Sequence, residues 1–165
     1  MAPRLGLGGG VSANPSSGLF GAPNLLLDNY PNAHRAYSVR KLSKDYSGYA
    51  MKVRESSGDY TADVAFDDDG FVSSSSKTYN ATGGGFSDGD TLTTFMSSND
   101  GFVTVWYDQS GEGSNATQST ALAQPKLWGS SGGLNTEGSP AIAALLFDGS
   151  NDYMAIDEAG LNFGY

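Results

Sequence analysis

An antiparallel β-sandwich, in a mainly β fold, is what this sequence predicts, on three observations. The composition favours strands and turns, with 23 Gly among 165 residues and nine Tyr, eight Phe and two Trp supplying the bulk. Several short stretches alternate apolar and polar residues, the period of a half-buried strand. Clusters of Asp, Asn, Ser and Gly separate them.

Residues 1–30 read as an extended Gly/Pro-rich arm. Glycines 6, 8, 9 and 10 and prolines 15 and 23 deny it a core of its own; Leu5, Leu7, Val11, Leu19 and Phe20 give it apolar hooks suited to lying along another subunit, and an ordinary disordered terminus is the other reading. It ends in the apolar run Leu25-Leu26-Leu27-Asp28-Asn29-Tyr30 before Pro31. One short helix is predicted over residues 33–46, capped by Asn32. Ala36, Val39 and Leu42 recur near helical spacing, and Gly48 closes it.

Residues 49–54 and 60–66 alternate as strands, and Asp67-Asp68-Asp69-Gly70 is a turn. Residues 73–90, rich in Ser and Gly, form a long loop, and residues 91–96 suit a short helix or a strand. Residues 102–107, Phe-Val-Thr-Val-Trp-Tyr, give the strongest strand signal. Further strands are predicted at 125–128, 141–147 and 152–156, the last two flanking the hairpin chemistry of Asp148-Gly149-Ser150-Asn151.

Charge divides the chain. Residues 1–54 carry seven basic and two acidic side chains, whereas residues 55–165 carry two basic and sixteen acidic ones. An acidic body argues against nucleic acid as a partner. The basic stretch from Arg35 to Arg54 suits either docking on an acidic surface or plain solvation. The chain has no Cys, which excludes disulfides and Cys-based zinc sites. No apolar run approaches the ~18 residues of a membrane span, and no basic stretch followed by an apolar one marks a signal peptide.

Chemistry concentrates after the strongest strand. Asp108, Gln109, Asn115 and Gln118 follow buried aromatics on a glycine-spaced turn. Three readings are open: sugar binding by Trp106, Asp108, Gln109, Asn115 and Trp128; calcium binding; or a hydrogen-bonded corner of the sandwich. Asp108 and Glu112 are two carboxylates that a glycosidase could use. Asp67, Asp68 and Asp69 offer oxygens for calcium, but consecutive acids splay apart, so a plain acidic turn is the stronger reading. No other cofactor or metal is expected. His34, the only histidine, lies beside the basic segment and reads as a surface residue.

Ala36-Tyr-Ser-Val-Arg-Lys-Leu42, Met51-Lys-Val-Arg-Glu-Ser-Ser57, Val105-Trp-Tyr-Asp-Gln-Ser-Gly111 and Asn115-Ala-Thr-Gln118 occur in that order. Over residues 33–156 this resembles the N-terminal half of the α-L-arabinofuranosidase B catalytic domain, which implies a jelly-roll, concanavalin-A-like sandwich. Phe147-Asp-Gly-Ser-Asn-Asp-Tyr153 is similar to the opening strands of laminin-G-like jelly rolls. That signature falls close to the last residue, so the expectation is either the front part of a longer module or a short sandwich completed by a neighbour. The arabinofuranosidase carboxylates come later than the Tyr-Asp-Gln-Ser-Gly block, so the resemblance carries no catalytic residue across. Met1-Ala-Pro-Arg-Leu-Gly-Leu-Gly-Gly-Gly10 ahead of such a module resembles virion structural proteins of tailed phages.

The resemblance implies a virion component, a tail fibre or capsid decoration held by its arm to other virion proteins. It further implies a homo-oligomer, with a trimer favoured. A module binding a host-surface glycan is the alternative, and an arabinofuranosidase-like glycosidase the third reading.

Overall fold

The computed structural model describes residues 24–157. They form a mainly β fold in which a curled antiparallel sheet makes a half-barrel of β-sandwich character. The arm hooks Leu5, Leu7, Val11, Leu19 and Phe20 lie outside the described residues.

The sheet is built on β1 (Met51–Glu55), β2 (Thr61–Val64), β3 (Thr78–Tyr79) and β4 (Gly101–Trp106), with β5 (Ala116–Thr117) and β6 (Lys126–Gly129) following. The strands β7 (Gly133–Leu134), β8 (Thr136–Glu137), β9 (Ile142–Ala143) and β10 (Ala155–Ile156) complete the set. The main path runs β10-β5-β4-β1-β2-β3, with β6 also pairing β4 and with β7 on β6. A separate two-stranded ribbon joins β8 and β9.

Alternation sets the two faces. Met51, Val53 and Glu55 point inward, while Lys52 and Arg54 point out. Val53 lies opposite Ala62 on one side and Val103 on the other, so the inner face is continuous across three strands. A register shift between Lys52 and Val53 bends β1 and helps the sheet curl. The helix α2 (Leu92–Met96) closes the inner face with Leu92, Phe95 and Met96, all fully buried. Thr91 caps it, its hydroxyl accepting the Thr94 N–H at 3.1 Å. Gly101 is required by this packing, because a Cβ there would lie 2.4 Å from Met96 Sδ and 3.0 Å from Trp128 Cβ.

Three expectations need correction. Residues 33–46 are not helical, and between 36 and 42 only Arg40 makes a strand-like bridge, to Phe71. Their backbone groups are taken by distant partners: Lys41 N–H donates to Gly70 O at 2.7 Å and Val72 N–H to Val39 O at 2.7 Å. A helix would forfeit those bonds and the side-chain bonds described below. The arm does not stay extended to residue 30. Leu26–Asn29 form a helical turn, α1, with Leu27 buried and its N–H bonded to Leu42 O. Finally, residues 141–147 and 152–156 do not pair as a hairpin. The first meets β8 and bridges Lys126 at Leu146, and the second joins β5. Asp148 closes a tight turn by accepting the N–H groups of Ser150 and Asn151, after which Tyr153 N–H bonds Ala123 O and the chain diverges.

Candidate functional site

The strand β4 ends by delivering Trp106, Tyr107, Asp108 and Gln109 to one corner, where the chain leaves the sheet for a glycine-spaced turn. Asp108 and Gln109 are 5% and 3% exposed. Burying such groups is costly unless each finds partners, and both do.

The Asp108 carboxylate accepts four hydrogen bonds. Oδ1 takes Ala36 N–H at 2.8 Å and Ser110 N–H at 2.9 Å. Oδ2 takes the Ser110 hydroxyl at 2.7 Å and Ser114 N–H at 3.2 Å. The Asn115 carboxamide oxygen accepts Asp108 N–H at 3.0 Å, so the turn is tied from both ends. Burial raises the Asp108 pKa, but the bonds from Ser110, Ala36 and Ser114 outweigh it and hold the carboxyl below its ordinary range.

Gln109 replaces a missing strand. Its Oε1 accepts Leu42 N–H at 2.8 Å, and its Nε2 donates to Ser38 O at 3.2 Å and Arg40 O at 3.0 Å. Its own N–H donates to Ala36 O at 2.8 Å. Together the two side chains hold residues 36–42 at this corner. Tyr37 adds a hydroxyl bond to Ser114 O and packs its ring 6.0 Å from that of Trp106. Gln118 is buried too, donating to Tyr153 O at 3.1 Å and accepting Thr120 N–H at 2.9 Å.

Four of the five residues of the expected sugar site meet at this corner, and Trp128 lies opposite Gly101 at the other end of β4. Trp128 is buried in the core cluster, Trp106 is packed against it, and Asp108 and Gln109 face inward. Asn115 is half-buried and bonded to Asp108. These side chains therefore do not line an open groove. The Trp106 indole N–H is buried without a hydrogen-bond partner among the described residues. Glu112, the second carboxylate of the glycosidase reading, is exposed on the turn, and His34 is exposed as well.

Asp67 also works as a turn residue, its Oδ1 accepting the N–H groups of Asp69 at 3.1 Å and Phe71 at 2.9 Å. Among the described residues no group of three or more His, Cys, Asp or Glu side chains is arranged to hold a metal ion. No helix among them is long and apolar enough to cross a membrane.

The basic segment divides its charges. Lys52 Nζ lies 3.4 Å from Asp63 and Arg54 2.7 Å from Asp59, so part of it pairs with the domain's own acids. Arg54 and Lys126 also flank the Phe102 ring, at 5.0 and 5.4 Å from its centroid.

A second polar cluster lies on the outer face, and it went unread in the sequence. Tyr79, Asp63 and Lys52 are cross-strand neighbours on β3, β2 and β1. Tyr107 donates its hydroxyl to Asp63 Oδ1 at 2.6 Å, and Asn80 Nδ2 donates to Oδ2 at 2.9 Å. The Tyr49 ring lies 5.7 Å from that of Tyr79 and 6.4 Å from that of Tyr107. The outward phase of Lys52 and Asp63 was the available signal, whereas Tyr49 and Tyr107 lie beyond the ends of β1 and β4 and carry none.

No protein-family model matches the chain, and neither a curated protein nor a solved structure matches it.

Proposed function

We propose that this domain is a structural component of a phage virion, a tail fibre or capsid decoration whose N-terminal segment attaches it to other virion proteins. The observation that carries the structural half of this reading is the Asp108 carboxylate, 5% exposed and accepting four protein hydrogen bonds. A catalytic acid needs a raised pKa and access to a substrate oxygen. Asp108 has a lowered pKa and both oxygens engaged. The glycosidase reading is correspondingly weaker.

The virion setting rests on the resemblance of the opening residues to tailed-phage structural proteins and on the hooks Leu5, Leu7, Val11, Leu19 and Phe20. Sedimentation of the full chain beside a chain lacking residues 1–23 tests it. The reading expects a closed oligomer, most simply a trimer, that reverts to monomer on truncation. A monomer in both cases would count against it.

A further inference from the structure

The outer-face cluster has the makings of a binding surface that the corner lacks. Tyr49, Tyr79 and Tyr107 are half-buried and belong to no part of the hydrophobic core. Their rings adjoin in pairs, with interplanar angles of 32° and 47°, so they form one composite aromatic surface. The Tyr107 hydroxyl is fixed by Asp63, whereas those of Tyr49 and Tyr79 have no hydrogen-bond partner among the described residues. Aromatic rings with spare hydroxyls at a water-facing surface pair an apolar face with polar edges.

Charge narrows the ligand. Asp63 is buried and accepts from Tyr107 and Asn80, with the Lys52 ammonium 3.4 Å away. The carboxylate and ammonium cancel. A cationic ligand would meet Lys52 where an aromatic cage needs vacant space. An anionic ligand would find the Lys52 charge already offset by Asp63. A neutral ligand with apolar ring faces and a rim of hydroxyls meets neither obstacle, and a sugar ring fits that description.

We propose that the outer face of β1–β3, with Tyr49, Tyr79 and Tyr107 as its aromatic floor and Lys52 and Asn80 as its polar edge, binds neutral glycans. The ring faces stack on sugar C–H faces, and the free tyrosine hydroxyls and Lys52 bond sugar hydroxyls. The proposal needs only the folded domain and is independent of the virion reading.

The test is affinity electrophoresis of the full chain through gels containing neutral polysaccharides (arabinan, xylan, mannan and mixed-linkage glucan in turn), beside Tyr49→Ala and Tyr79→Ala. At least one polysaccharide is expected to retard the unaltered protein, and each substitution to weaken that binding about tenfold or more. As a readout free of variants, NMR of the unaltered protein with an oligosaccharide of the retarding polymer should shift the Tyr49 and Tyr79 ring signals. No retardation by any of the four polymers would overturn the proposal. So would retardation that leaves those ring signals unmoved or survives both substitutions.

Discussion

Asp108 accepts the backbone N–H of Ala36 at 2.8 Å across 72 residues of sequence. Gln109 repeats the device at Leu42, 67 residues away. Two adjacent side chains at the end of β4 thus hold a segment that has no strand partner along most of its length. Each bond replaces a backbone bond that a regular sheet would have made, which is why polar groups so deeply buried are tolerated.

Removing the anchor is costly. Asp108→Ala strands four donors, three of them backbone or hydroxyl groups on the turn itself, and loses a charged acceptor. The expected destabilisation is about 2–4 kcal/mol, read as a lower urea midpoint with an unchanged slope. Gln109→Ala should cost about as much, through Ser38, Arg40 and Leu42.

Acid should loosen this corner and the turn after β1 as well. Burial raises the pKa of both Asp108 and the buried Glu55, yet hydrogen bonds lower each below its ordinary value. Glu55 accepts the Ser57 and Gly58 N–H groups at 2.7 Å each. A carboxyl depressed on folding contributes stability that is present above its unfolded pKa and lost as pH falls through the folded one. Chemical-denaturation stability should therefore hold level from neutral pH to about pH 5 and fall below about pH 4. Asp108→Asn should flatten that fall.

Gly101→Ala tests the closure of the inner face. The added methyl would approach Met96 Sδ to 2.4 Å and Trp128 Cβ to 3.0 Å. The Met96 tip can swing away and the Trp128 Cβ cannot, so a loss of about 1–3 kcal/mol is expected in thermal or urea unfolding. A Met96→Ala background should recover part of it.

Catalysis by Asp108 and Glu112 predicts turnover that the corner's geometry does not support. Incubating the protein at high concentration with a nitrophenyl arabinofuranoside should release no nitrophenol above buffer. Release abolished by Asp108→Asn with the fold intact would reinstate the glycosidase reading.

What could be read from the sequence was what local pattern dictates. Strands β1 and β2 carry their own alternation and β4 its run of β-formers, whereas residues 91–96 suit helix and strand alike. The inward role of Asp108 was one of three open readings, since Asp after a strand and before Gly favours backbone bonding. What could not be read depends on contacts distant in sequence. Ala36, Val39 and Leu42 have helical spacing, and only Asp108, Gln109 and the bonds to Gly70 and Val72 reveal why they are not helical. The partners of β9 and β10 were likewise missed, because the 148–152 turn has hairpin chemistry without hairpin strands. The tyrosine face escaped notice because Tyr49, Tyr79 and Tyr107 come together only when β1–β4 pair.

Native-state hydrogen exchange of the Ala36 and Leu42 amides tests the structural role of the corner most directly. Bonded to Asp108 and Gln109, both should exchange as slowly as amides of β1 and β4, and Asp108→Ala should release Ala36. Fast exchange of both amides in the unaltered protein, at the rate of an open loop, would contradict the account.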